Sequence, residues 1–240
     1  METGMITGSL ARPDGRLCFD RLGTGPDMLL LHAGGERRRV WHPVMEHLAR
    51  HGCRAIAYDQ RGHGDSIKGR AFALPAYGED TIDMIARLTM PVVVGASLGG
   101  FAALLALADA ATEANVAGLV LVDVLPDPDP RRTLRFLAPL GMDTSPLVAD
   151  ILGRRDQLRQ ITRRLSLPIL AIRAGASAGI RDSDADRFLE LAPQAQVASV
   201  AGAGHLIARD KPVELAALLA DFQRSDAVRD RRTRGPRSAG

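Results

Sequence analysis

The stretch VVVGASLGGFAALLAL, Val92–Leu107, changes its period at a serine. Before Ser97, Val92 to Val94 are all branched and apolar, the pattern of a strand buried on both faces. After it, Phe101, Leu104, Leu105 and Ala108 recur at helical spacing. Ser97 is therefore expected at a strand-to-helix turn. A turn that tight needs small neighbours two residues before and two after the serine, and Gly95 and Gly99 supply them. Such a turn lifts the hydroxyl clear of the sheet and sets the Leu98 amide at a helix N-terminus, where it can donate to a developing anion. A G-x-S-x-G pentapeptide is common by chance, and its weight comes from the strand before it and the helix after it.

Outward from this stretch, strands and helices alternate. GSLARPDGRLCFDRLG reads as a hairpin around Pro13, Asp14 and Gly15. DMLLLHAGG is a buried strand ending in glycines, VWHPVMEHLARHG a helix stopped by Gly52, and CRAIAYD another strand. EDTIDMIARL is a short helix and VAGLVLVDV a strand. LPILAIRAG and AQVASVAGAG are strands with a helix around DADRFLELA between them, and PVELAALLADFQR is a last helix with Pro212 in its first turn. Alternation of this kind implies an α/β fold, a mostly parallel sheet with helices on both faces, and no internal repeat is present. In such sheets chemistry gathers outside the carboxyl ends of the strands. Ser97, His32 to Gly35, Asp59 to Gly64, Asp123, Gly175 to Ala178 and His205 all fall at those ends.

The 240 residues, 46% hydrophobic and 25% charged, suit one globular domain. The longest apolar runs fall well short of the roughly 20 residues that cross a bilayer. The first residues lack the basic and apolar regions of a secretory signal, so a cytoplasmic location is expected. The net charge of +3 lies wholly in residues 225–240, which hold five Arg and two Asp without apolar periodicity. That segment is expected to be a flexible basic tail, and no nucleic-acid or membrane partner is implied. Cys18 and Cys53 lack the spaced partners of a disulfide framework or zinc site. His47 and His51 stand four apart on a helix with no third ligand, so no metal is expected. No phosphate-binding glycine loop is present, so nucleotides are not implied.

Taken together, LLLHAGGE, IAYDQRGHGDS, GASLGG, LVLVDVLP and VAGAGHLIARDKP resemble, in order, the oxyanion loop, fourth-strand turn, nucleophile elbow, sixth strand and histidine loop of the α/β-hydrolase superfamily. The resemblance runs from about Leu29 to the final helix. It implies an eight-stranded doubly wound sheet with a small helical lid: a core over residues 1–124 and 168–224, and a lid over 125–167. It also implies a cofactor-free serine hydrolase with a small-molecule substrate, an ester, lactone or related carbonyl compound. Oligomeric state is left open.

By the resemblance Ser97 is the nucleophile and His205 its base, since a serine hydroxyl attacks only when a base takes its proton. Leu98 supplies one oxyanion amide and Gly34 the second, with Gly35 the alternative. His32 is expected to hold its loop. His63 and Asp59 belong to a turn that holds loops, and Glu36 to Arg39 fall near the cleft mouth, where they suit a solvated turn. Trp41, Phe101, Phe136 and Met142 are apolar candidates for the substrate cleft. Arginines of the lid offer either a solvated face or a contact for an anionic substrate.

The acid is where the sequence departs from the family. After the seventh strand, where the family places a carboxylate, RAGASAG carries Ser177 and Ala178. Asp182, Asp184 and Asp186 suit the cap and first turn of the next helix. Asp123, at the end of LVLVD, is the alternative acid or else a structural residue. With no acid the chain would be a degenerate member that binds a ligand or catalyses a non-hydrolytic step. Serine at the elbow argues against haloalkane and epoxide hydrolysis, which use a carboxylate nucleophile in this superfamily.

Overall fold

The computed structural model describes residues 4–69, 73–175 and 179–235. The strands are β1 (Ile6–Arg12), β2 (Gly15–Leu22), β3 (Asp27–Leu31), β4 (Arg54–Tyr58), β5 (Val92–Ala96), β6 (Gly118–Val122), β7 (Ile169–Ala174) and β8 (Ala195–Val200). They form one eight-stranded sheet in the order β1-β2-β4-β3-β5-β6-β7-β8. β1 and β2 run antiparallel to their neighbours and every later pairing is parallel.

The unbroken apolar runs follow from burial on both faces. Leu29, Leu31, Val93, Leu119 and Leu121 enter one core cluster, while Met28, Leu30, Val92, Val94, Val120 and Val122 enter the other. Alternation along a strand sends successive side chains to opposite faces. Each such side chain contributes about 1.5–3 kcal/mol on burial.

Between β6 and β7 the chain forms the helices Pro130–Leu137, Pro146–Gly153 and Arg155–Arg164, with a 3-10 turn at Ala138–Leu140. The first buries none of its residues. It is tied to the helix Asp182–Leu191 by the guanidinium of Arg132, which donates to both oxygens of Asp184 at 2.6 and 2.8 Å. Burial works against the charge of Asp184, but Arg132 and the Arg181 amide outweigh it and hold this carboxyl down at about 2.

Three expectations are corrected. The helix read as EDTIDMIARL begins earlier, at Leu74, with Pro75 in its first turn. The basic tail is not a loose appendage over its described length, since Asp226–Arg234 is a helix docked on the core. Val228 is wholly buried, Arg231 donates to the carbonyls of Val116 (2.7 Å) and Glu113 (2.9 Å), and Arg232 donates to that of Met90 (3.0 Å). Docking by one valine and guanidinium–carbonyl bonds leaves no apolar stripe to read. Finally, Arg38, assigned to a solvated turn, is buried. Its guanidinium meets Asp20 (2.9 Å), Asp59 and Asp65 (2.9 Å), and its amide donates to Asp59 at 2.7 Å.

Candidate active site

Ser97 stands between β5 and the helix Leu98–Ala106 with φ 47° and ψ −112°. This conformation is costly for a residue with a side chain and persists only when its surroundings enforce it. They do so by contact. A Cβ on Gly95 would strike the Gly99 carbonyl, and one on Gly99 would lie 2.6 Å from both the Cβ and the carbonyl oxygen of Leu31. The Ser97 amide donates to Val122 O at 3.2 Å, and its carbonyl accepts from Gly100 at 2.9 Å.

Val122 pairs with Ala96, so Asp123 lies beside Ser97 at the carboxyl ends of neighbouring strands. Asp123 also has positive φ, 48°, and its carboxylate is fully buried. Oδ1 accepts the Ala174 amide at 2.9 Å, while Oδ2 lies 2.8 Å from His205 Nδ1. A buried carboxylate on Nδ1 favours the tautomer that leaves Nε2 free to accept a proton. No hydrogen bond joins the Ser97 hydroxyl to His205 among the described residues, and such contacts often tighten only around a substrate. Of the other acids, Asp184 is held by Arg132 and Asp182 pairs with Arg173 at 2.5 Å. Ser177 and Ala178 lie outside the described residues.

The loop after β3 is set by its own bonds. His32 Nδ1 donates to Ala33 O at 2.8 Å and its Nε2 accepts the Gln60 amide at 3.0 Å. Burial keeps this imidazole neutral, down at about 4. Ala33 O also accepts the Glu36 amide at 3.1 Å. In a trans peptide the N–H points opposite to the C=O, so pinning Ala33 O aims the Gly34 N–H the other way. The Ala33 amide donates to Glu36 Oε2 at 3.3 Å, and the Gly35 amide donates to His63 Nε2 at 3.1 Å. From Ala33 to Glu36, Gly34 alone has an amide without a hydrogen-bond acceptor among the described residues. A Cβ on Gly34 would lie 3.9 Å from the Leu98 side chain, so the two expected donor residues are neighbours. Glu36, expected in a solvated turn, is half-buried, and burial raises its carboxyl above the usual range.

The apolar candidates divide. Phe136 packs edge-on against His205, ring centroids 4.9 Å apart, and remains 49% exposed. The Met142 methyl would lie 3.8 Å from a Cβ on Gly34. Trp41, in contrast, has no exposed surface and belongs to the core beneath the loop, so its place in the cleft is withdrawn. Phe101 is buried in the opposite cluster with Leu98 and Leu125. Of the excursion's arginines, Arg132, Arg154, Arg155 and Arg159 are paired with nearby aspartates.

The family model of the alpha/beta hydrolase fold matches residues 26–144. An esterase of Mycobacterium tuberculosis is 37% identical over 109 residues, 43% of this chain and 35% of that protein. The pimeloyl-[acyl-carrier protein] methyl ester esterase of Aeromonas salmonicida is 35% identical over 86 residues, 35% of this chain and 33% of that protein. The chain thus spans only about a third of these curated relatives. Among solved structures, the thioesterase domain from the curacin biosynthetic pathway superposes with TM-score 0.71 at 20% identity, covering 90% of this chain and 99% of that one. Sheet order, strained serine turn and family match agree, and the chain belongs to the α/β-hydrolase superfamily.

Proposed function

We propose that the protein is a serine hydrolase of small carboxylic esters, lactones or related carbonyl compounds, working through an acyl-enzyme. The observation that carries this reading is the buried Asp123 carboxylate 2.8 Å from His205 Nδ1, beside the strained Ser97. Ser97 attacks the carbonyl carbon as His205 Nε2 takes its proton. The imidazolium so formed is stabilised by Asp123 and returns the proton to the leaving group. The carbonyl oxygen, now anionic, accepts from the amides of Leu98 and Gly34. Water, activated by the same histidine, then releases the acid and restores Ser97.

Resemblance to the esterases of Mycobacterium tuberculosis and Aeromonas salmonicida supports the ester class. The absent seventh-strand acid had favoured a degenerate, ligand-binding member, and the Asp123–His205 pair favours the hydrolase instead. The test is labelling with a fluorophosphonate, which reacts only with an activated serine. Wild-type protein labels and Ser97→Ala does not. A wild type that stays unlabelled in folded form refutes the proposal.

A further inference from the structure

His63 is held from both ends of its ring. Nδ1 lies 2.9 Å from Arg61 O, which accepts its proton, so Nε2 carries a lone pair and accepts the Gly35 amide at 3.1 Å. The ring also meets His32 edge-on, centroids 5.0 Å apart. The turn beneath it is rigid because Asp59 accepts the amides of both Arg38 and Asp65.

Gly35 has φ +80°, a conformation that glycine alone adopts readily. Gly34 has no side chain to pack, so its backbone angles are fixed only by the two peptide planes on either side. The plane before it, which carries the Gly34 N–H, is held at Ala33 O by His32 and by the Glu36 amide. The plane after it is held at the Gly35 N–H by His63. We propose that His63 is a positioning residue for catalysis: the bonds at Ala33 O set the direction of the Gly34 N–H, and His63, by accepting the Gly35 N–H, fixes the peptide that follows Gly34 and so keeps that N–H in place for the oxyanion.

This rests on the hydrolase reading above, with the Gly34 amide as oxyanion donor. That amide meets a full negative charge only in the transition state, so its misplacement lowers kcat and leaves KM nearly unchanged. Loss of one oxyanion donor costs about 10²–10³ in kcat, and loosening one costs about 10–100-fold.

The experiment compares two carboxamides. In His63→Asn the shorter side chain retains the bond to Arg61 O and does not reach Gly35. In His63→Gln an acceptor stands where Nε2 stood. Steady-state hydrolysis of p-nitrophenyl acetate is measured for wild type, both variants and Ser97→Ala, each with a thermal melt. The expected result is a kcat for His63→Asn lower by about 10–100-fold with KM within about threefold, and recovery of most of that loss in His63→Gln. Two results overturn the inference while leaving the hydrolase reading intact: a folded His63→Asn with wild-type kcat, or a His63→Gln no better than His63→Asn. Wild-type hydrolysis that survives in Ser97→Ala overturns the hydrolase reading itself and this inference with it.

Discussion

Asp123 divides its carboxylate between two duties, Oδ1 accepting the Ala174 amide at 2.9 Å and Oδ2 facing His205 Nδ1 at 2.8 Å. The first bond splints the ends of β6 and β7, and the second orients the His205 ring, the base of the proposed reaction. One carboxylate so placed can serve a structural and a catalytic duty at once. In Asp123→Asn the amide oxygen can keep the Ala174 bond, and asparagine tolerates positive φ better than most residues. The NH2 group then faces Nδ1 and favours the wrong imidazole tautomer. Turnover of an activated ester should fall by about four orders of magnitude. The melting temperature should stay within a few degrees. A variant that unfolds early yet turns over normally when folded would leave Asp123 with the structural duty alone.

Arg38 gathers Asp20, Asp59 and Asp65 behind the loop that carries Gly34. Burial disfavours its charge, and the surrounding carboxylates outweigh that and raise its guanidinium further above the ordinary arginine range. Removing the cation leaves the carboxylates of Asp20 and Asp59, nearly or fully buried, without compensation. Arg38→Met should therefore destabilise the fold by about 3–5 kcal/mol in urea unfolding. A change below about 1 kcal/mol would mean that His42, 2.8 Å from Asp20, and the backbone amides on Asp59 suffice.

The succession of buried strands along the chain and the serine turn were legible because their causes are local. Apolar runs such as Leu29–Leu31 and Val120–Val122 state burial on both faces, and a serine flanked by Gly95 and Gly99 states a turn too tight for a Cβ. His205 and Asp123 were legible only through the order of family motifs, since nothing local brings residues 82 positions apart together. Arg38 and Glu36 were misread for a related reason: from Glu36 to Arg39 every residue is charged, and only the tertiary fold sets one guanidinium in a cage of three aspartates. Trp41 reads as a cleft residue by type, yet the turn Arg38–Trp41 buries it under the loop.

Phe136 sits on a helix with no buried residue, and its ring rests on His205. An exposed aromatic beside His205 offers an apolar wall to a substrate bound there. Phe136→Ala should raise KM for esters with an apolar chain more than for acetate esters, by about 10-fold for loss of one aromatic contact, and leave kcat for acetate near wild type. Equal effects on both substrates would assign the ring to holding His205 in place.

His32 makes stability depend on pH with a definite sign. Its imidazole is wholly buried and is held down to about 4 from an ordinary value of 6.5, chiefly by burial. Between those values the unfolded chain binds a proton at this residue and the folded chain does not, so stability rises with pH across the interval. The contribution is complete above about 6.5 and disappears as pH falls through about 4. A depression of this size corresponds to about 3 kcal/mol. Protonation also places a second proton on Nε2, which then no longer accepts the Gln60 amide. In His32→Asn the carboxamide still donates to Ala33 O and does not titrate. Urea unfolding of the two proteins from pH 7 to pH 4 should give curves whose difference narrows as pH falls, by the equivalent of up to one proton. Parallel curves would show that His32 is protonated as readily in the folded chain as in the unfolded one.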